Sequence, residues 1–341
     1  MTARMDATPA SSDPRAVGRW LLVVAAVIAL TVVVGGLTRL TESGLSIVEW
    51  RPITGVLPPL SAAAWEQAFA QYKASPEYLQ VNAGMSMAAF QAIYWMEWGH
   101  RLLARAVGMI FLIPFLCFLV RSRIPSRFVA PLVVVFVLGG LQGALGWYMV
   151  QSGLVDRPDV SHYRLAAHLG LAVAIYGYVV ALALELLWPR RSGRADPLLT
   201  ALAGWIFIVL LSGALVAGLD AGFLHNTFPL MDGRWIPEGL SLLSPWILNL
   251  LENPTGVQFL HRLLAAVTVA LIVALWWWRR PTTTPMGRRA LDGLLLMVVV
   301  QAALGIATLL LVVPISLAVT HQAGAVALLT MALVARHVAP R

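Results

Sequence analysis

Apolar and polar stretches alternate along the chain and define eight segments long enough to cross a bilayer. A helix needs roughly 20 apolar residues to span about 30 Å of hydrocarbon. Segments of this kind lie at 19–37, 98–120, 128–150, 164–188, 198–218, 258–278, 291–312 and 314–336. The last two meet at Val313-Pro314, where proline permits a sharp turn but no continuation of a helix. The pattern predicts an all-α integral membrane protein with eight transmembrane helices.

The overall composition agrees with this prediction and narrows the class of protein. Apolar residues make up 59% of the 341 residues and charged residues 12%, against about 45–50% and about 25% in soluble domains. So few charges cannot cover the surface of a water-soluble particle of this size. The composition therefore excludes a soluble enzyme. It also excludes a nucleic-acid-binding protein, although the formal net charge is +8.

The basic residues are concentrated in alternate connections between the predicted spans. Those on one side are Arg4, Arg15, Arg19, Arg121, Arg123, Arg127, Arg190, Arg191, Arg194, Arg279, Arg280, Arg288, Arg289, Arg336 and Arg341. Because basic loops stay in the cytoplasm, this arginine-rich side and both termini are predicted to be cytoplasmic, in the cell inner membrane. The opposite side carries the two longest loops, 38–97 and 219–257, and is called the long-loop side below. Their Trp, Pro and Gly content predicts ordered interfacial caps.

The chain contains a single cysteine. Cys117 cannot form an intrachain disulfide, and one thiolate excludes a multi-cysteine metal or iron–sulfur site. Because Cys117 lies well inside the second predicted span, we expect it to be a small core residue.

The second half of the sequence repeats the first. HRLLARAVGMI from His100 returns as HRLLAAVTVAL from His261, and LQGALGW around Gln142 returns as VQAALGI around Gln301. AAHLGLAVA around 168 returns as VTHQAGAVA around 321, and TESGL at 41–45 is matched more weakly by LDAGF at 219–223. Each unit has four spans, so both enter the membrane from the same side. The repeat predicts two pseudo-symmetric four-helix bundles placed side by side.

The repeat divides the chain into five parts. They are a cytoplasmic tail (1–18), a first bundle (19–188, with loop 38–97), a cytoplasmic linker (189–197), a second bundle (198–336, with loop 219–257) and a cytoplasmic C-terminus (337–341).

Four histidines occupy repeat-matched positions, His100 and His168 in the first half and His261 and His321 in the second. Counting the 1.5 Å rise per residue from the arginine-rich ends places all four in the half of the membrane near the long-loop side. Within a half they come from the second and fourth spans, which can face each other across a bundle core. With no thiolate, carboxylate cluster or third histidine nearby, two imidazoles suit an iron already held by porphyrin.

An alternative exists for each histidine, because an intramembrane imidazole also forms hydrogen bonds between helices. Pairing by repeat and matching in depth favour the haem interpretation for the four together. His162, His225 and His337 lie in loops or beyond the last span and are expected to be solvated or structural.

Several segments together resemble the haem A synthase family, in its proteobacterial and mitochondrial form. They are HRLLARAVG preceded by Glu97, GGLTRLTESGLSIVEWRPITGVLPPL, HNTFPLMDGRW and the duplicated histidine pairs. The resemblance covers essentially residues 19–336. It implies an oxidoreductase that converts the C8 methyl group of haem O to a formyl group, giving haem A for cytochrome c oxidase. The cysteine pairs of some Gram-positive members are missing from the long loops, so electron transfer through such a disulfide is excluded.

The resemblance also implies a division of labour. The second half is expected to hold haem b through His261 and His321 as axial iron ligands. The first half is expected to receive haem O at His100 and His168, toward the periplasm. The implied partners are the haem O substrate, haem O synthase, an electron-transfer partner and membrane lipid.

Glu97 distinguishes the two halves independently of the resemblance. It lies three residues before His100 on the same helix face, and the matched position in the second half is Gln258. We hypothesise that Glu97 handles protons or positions water beside the substrate methyl group. The alternative is that Glu97 pairs with Arg101 at i+4 or caps its helix.

Other polar residues complete the list of candidates. Arg101 and Arg262 follow site histidines and are expected either to anchor haem propionates or to reach lipid headgroups. Further candidates in the substrate half are Arg39 and Arg105. Gln142 and Gln301, on the third span of each half, are expected to form hydrogen bonds across the bundle core.

Two other functions are consistent with part of the pattern. A di-haem cytochrome b that exchanges electrons with quinone fits the composition and the histidines equally well, and only Glu97 and the family resemblance oppose it. A secondary transporter also has duplicated bundles. Transporters, however, carry interrupted helices or midplane charges, and here the ionisable residues gather near the long-loop ends.

Overall fold

The computed structural model describes residues 13–51, 54–155, 158–189 and 196–339. Within these residues it is all-helical, with ten α-helices and three short 3₁₀ segments. The α-helices are α1 (Pro14–Leu40), α2 (Ala62–Lys73), α3 (Pro76–Gln80), α4 (Met87–Val120), α5 (Ser126–Gln151), α6 (His162–Leu187), α7 (Pro197–Gly218), α8 (Pro254–Arg279), α9 (Pro285–Leu310) and α10 (Ile315–Val338).

Eight of these described helices, all except α2 and α3, are long and apolar enough to cross a membrane. The predicted eight spans are therefore confirmed, and the chain is a multi-pass membrane protein. Apolar helices suit this environment because all their backbone polar groups are paired internally. Arg4, Arg190, Arg191, Arg194 and Arg341, with most of the predicted linker 189–197, lie outside the described residues.

Most helices run longer than the apolar segments that predicted them, because polar caps define their first turns. Asp13 accepts a hydrogen bond from the Ala16 amide and precedes Pro14, and Asn253 and Pro254 begin α8 in the same way. The largest difference is at α4, which begins at Met87 and not at 98. The long-loop connection before it is correspondingly shorter than predicted.

Helix contacts within the two halves follow the repeat. In the first half, α1 and α5 each pack against both α4 and α6. In the second half, α7 and α9 each pack against both α8 and α10. Of the helix pairs with extensive contact in the described chain, none joins α4 to α6 or α8 to α10, so these pairs stand on the diagonals. These contacts are those expected of two four-helix bundles, while the pseudo-symmetry axis stays a prediction.

The halves meet through α1 and α6 of the first and α7 and α10 of the second. Gln322 donates to the carbonyl of Val32 at 3.0 Å across this interface. The hydroxyls of Tyr176 and Thr330 lie 2.7 Å apart. These hydrogen bonds join apolar faces that otherwise resemble lipid-facing surface.

The first long loop forms an aromatic layer on the first turns of α4. Phe69 and Tyr72 of α2 are buried against Phe90 and Tyr94 of α4. The rings of Phe69 and Phe90 stack with centroids 4.8 Å apart. The predicted ordered caps are thus confirmed for this loop, which packs as a small folded unit.

One buried carboxyl in this unit predicts a pH dependence. Glu77 accepts a hydrogen bond from the Tyr72 hydroxyl at 2.9 Å, and burial raises the pKa of Glu77 to about 7. Because the folded pKa lies above the ordinary value, its stabilising effect is complete in acid and is lost as pH rises through about 7.

Hydrogen exchange of the α2 amides, corrected for chemical exchange, checks this expectation. Between pH 6 and pH 8 the free energy of local opening is expected to fall by about 1 kcal/mol. Glu77→Gln, which cannot ionise, should remove the dependence. Equal pH sensitivity in the wild type and Glu77→Gln would contradict the assignment.

Candidate functional site

The four repeat-matched histidines share one local environment, in which each ring packs against a glycine of the adjacent helix. A Cβ built on Gly35 would lie 2.9 Å from Cε1 of His100, and one on Gly213 would lie 3.1 Å from Cε1 of His261. The corresponding distances are 2.9 Å from Gly146 to His168 and 2.8 Å from Gly305 to His321. At Gly35, Gly146 and Gly305 a Cβ would lie below 3.0 Å and force the ring to move, and at Gly213 the contact would be tight, so the close packing depends on glycine.

The histidines form one pair in each half. His100 stands on α4 and His168 on α6, the diagonal helices of the first half. His261 stands on α8 and His321 on α10, the diagonal helices of the second half. Each bundle therefore carries its two histidines on helices at opposite corners.

One glutamine on the third span of each half holds the fourth span at its histidine. Gln142 donates to the backbone carbonyl of His168 at 3.0 Å, and Gln301 donates to that of His321 at 2.9 Å. The predicted hydrogen bonds across the core are confirmed. The Gln142 amide nitrogen also lies 3.1 Å from Nδ1 and 3.4 Å from Nε2 of the His168 ring.

Glu97 is buried and accepts hydrogen bonds at both carboxylate oxygens. Oε1 accepts from Nε and Nη2 of Arg101 at 3.0 and 2.6 Å. Oε2 accepts from the Ser46 hydroxyl at 2.7 Å and from the Ile47 amide at 2.8 Å. Pairing with Arg101 at i+4 is one of the two roles that the sequence indicated for Glu97. The other role of Glu97, proton handling beside the substrate, stays a prediction.

Arg101 and Arg262 hold the long loops in equivalent ways. Arg101 donates to the carbonyls of Ile47 and Glu49 at 2.9 and 3.3 Å. Arg262 donates to the carbonyls of His225 and Thr227, which show the same spacing along the second loop. Both guanidinium groups thus contact loop backbone. The expected contact with haem propionates is untested.

Gln258, which replaces Glu97 in the second half, donates to the His225 carbonyl at 3.2 Å. The two further arginine candidates are also bound to loops. Arg39 pairs with Asp220 at 2.8 Å, and Arg105 donates to the Arg51 carbonyl at 3.0 Å. The Arg39 ion pair ties the end of α1 to the end of α7.

Ser212 is a contact of the site that the sequence did not indicate. Its hydroxyl lies 2.8 Å from Nδ1 of His261 and donates to the Val209 carbonyl at 2.7 Å. Because the serine hydroxyl donates to that carbonyl, its oxygen accepts a hydrogen bond from Nδ1–H of His261, and this tautomer leaves the Nε2 lone pair free. The match of 41–45 with 219–223 contained a signal, because the same offset pairs Ser212 with Val34, where the first half has no hydroxyl.

The residues present fit a haem. The described residues contain no cluster of three or more His, Cys, Asp or Glu side chains that could hold a bare metal ion. In contrast, paired neutral imidazoles supply the two axial positions that a porphyrin leaves open. Nδ1 of His100 and of His321 are buried with no hydrogen-bond partner among the described residues.

The remaining histidines and the cysteine lie away from these pairs. His225 contacts Asp232 and Thr255 in the second long loop, and His337 lies 2.7 Å from the Trp188 carbonyl, which makes it structural. His162 begins α6 beside Gly218. The expectation that Cys117 is a core residue is wrong, because it is exposed on α4. Lipid-facing and core-facing apolar positions look alike in sequence.

Comparison with known proteins matches this architecture over most of the chain. A family model described as "Cytochrome oxidase assembly protein" matches residues 18–333. The chain is 49% identical to a protein named "Heme A synthase" from Nitrosospira multiformis, covering 93% of this chain and 92% of that protein. It is 49% and 50% identical to proteins of the same name from two Bradyrhizobium strains, covering 99% of this chain and 95% of each relative.

Proposed function

The chain belongs to the cytochrome oxidase assembly protein family, and we infer that it is a haem A synthase, an enzyme that converts haem O to haem A. The reaction oxidises the C8 methyl group of haem O to a formyl group. The single observation that carries the inference is identity of about half the residues over nearly the entire length of relatives with that name. The paired imidazoles of each half are side chains that would bind haem iron.

We propose that the second bundle binds haem b. His261 and His321 would be its axial ligands, with Arg262 holding the loop beside it. Two observations support this proposal: the histidine rings pack against glycines of the adjacent helices, and the Ser212 hydroxyl contacts Nδ1 of His261. A haem with both axial positions filled supplies one-electron transfer when bound. The protein's own contribution is to orient the two rings and to exclude a third ligand.

The first bundle is the proposed substrate site. His100 and His168 would bind the iron of haem O, and Glu97 with Arg101 would keep residues 46–49 in place beside it. We propose that the protein lies in the inner membrane in the orientation that its arginine distribution predicts. Both termini would then be cytoplasmic, and both haem sites would lie toward the periplasm. Haem O synthase and an electron-transfer protein are the proposed partners.

Co-expression with a source of haem O tests the function. Membranes are extracted and the haems separated by chromatography. The proposal expects haem A to appear only when both the protein and haem O are present, with haem b co-purifying with the protein. A di-haem cytochrome b that only carries electrons would bind haem but form no haem A, and this outcome would overturn the proposal.

Glu97→Gln is expected to reduce haem A formation at least about 100-fold, the lower end of the range for general acid–base catalysis, while bound haem b is retained. The amide preserves the size of the side chain but removes the charge that pairs with Arg101. The assay is the same haem extraction, normalised to protein. Unchanged haem A output would refute any role of Glu97 in the reaction.

Arg101→Gln is the comparison that distinguishes the two roles of Glu97. Loss of conversion in both variants to the same extent indicates that Glu97 acts by holding the loop through Arg101. Loss in Glu97→Gln alone indicates proton handling at the carboxylate itself.

A further inference from the structure

The two halves hold their histidines with different hydrogen-bond partners. In the second half, Nδ1 of His261 has an acceptor, the Ser212 hydroxyl at 2.8 Å. Nδ1 of His321 in the second half and Nδ1 of His100 in the first half are both buried without a partner in the described chain, so Ser212 distinguishes His261 from its repeat-matched His100. The polar group nearest Nδ1 of His168 is the Gln142 amide nitrogen at 3.1 Å, which can only donate.

The repeat explains why the first half lacks this acceptor. The spacing that relates Gly35 to Gly213 relates Val34 to Ser212. Both glycines pack on their histidines at nearly the same distance, 2.9 and 3.1 Å, so the helix pairs approach each other similarly. The valine side chain has no polar atom, so the first half lacks the acceptor that Ser212 gives His261.

We propose that Ser212 is a positioning residue that makes haem binding in the second half permanent, while its absence keeps the first half exchangeable. This inference rests on the proposed function. An acceptor at Nδ1 fixes the tautomer that presents Nε2 to iron and raises the basicity of the ligand. A substrate site needs the opposite property, because haem O must enter and haem A must leave at each turnover.

The same contacts predict how the midpoint potential of a haem in the second half changes when the Ser212 hydroxyl is lost. A more basic imidazole stabilises the oxidised iron, so loss of the Ser212 hydroxyl should make the haem midpoint potential more positive. Threonine at 212 retains a hydroxyl that can accept from Nδ1 and donate to the Val209 carbonyl, as serine does. Threonine should therefore preserve the potential.

The test uses the purified full-length protein with its bound haem and excess apomyoglobin as haem acceptor. Ser212→Ala is expected to release haem about 10–100-fold faster than wild type, the range for loss of an outer-shell partner. Its midpoint potential should shift to more positive values. Ser212→Thr should behave as wild type in both measurements.

The converse variant tests the first half. Val34→Ser, loaded with haem O, should slow transfer of that haem to apomyoglobin, whereas Val34→Ala, which changes only size, should not. Release rates and potentials of Ser212→Ala equal to those of wild type would overturn the inference, as would Ser212→Thr behaving like alanine. Wild-type protein purified without any haem would instead overturn the proposed function.

Discussion

Replacing His261 or His321 with alanine is expected to abolish stable haem b binding, while replacing His100 or His168 leaves haem b in place and stops haem A formation. Each pair stands on diagonal helices with its rings against glycines. A site with two protein ligands loses half of them in one substitution. The loss of affinity should exceed the roughly 10–100-fold cost of removing an outer-shell partner.

The measurement is the haem content of purified variants from absorbance, together with haem A extracted after co-expression with a haem O source. His337→Ala is a matched control, because His337 lies on the same helix as His321 but contacts the Trp188 carbonyl. That variant should retain haem b and conversion. If His261→Ala and His321→Ala both retain haem b, these two residues are not its ligands.

Alanine at the glycines behind the histidine rings is expected to cost nearly as much as loss of a histidine. The added Cβ would lie 2.8 Å from the His321 ring in Gly305→Ala and 2.9 Å from the His168 ring in Gly146→Ala. The ring must then shift by several tenths of an ångström, and displacement of this kind weakens a ligand bond that depends on direction. We expect Gly305→Ala to lose most of its haem b and Gly146→Ala to lose conversion about tenfold or more.

Gly140→Ala is the control, since it lies on the same helix as Gly146 and no atom lies within 4 Å of a Cβ built there. Intrinsic helix propensity favours alanine over glycine by about 1 kcal/mol. The control should therefore fold at least as well as wild type. If Gly305→Ala and Gly146→Ala also match wild type in haem content and in haem A formation, the close packing of glycine on the histidine rings is not required for function.

The spans, the repeat and the four histidines were predictable from sequence because they depend on local properties. In a bilayer, a run of about 20 apolar residues forms a helix, because only a helix pairs the backbone groups of a segment within the segment itself. The segments around His100 and His261 match residue by residue, so the pairing by repeat needed no coordinates. Glu97 and Gln258 stood out for the same reason.

The tertiary structure decided which groups these residues contact. Whether Glu97 meets Arg101 and the Ile47 amide, and whether His261 meets Ser212, depends on how each helix is rotated about its axis and where the loops return. Rotation is not readable from hydropathy in a membrane, because faces toward lipid and toward protein are equally apolar. Cys117, expected in the core and found exposed, shows the same physical limit.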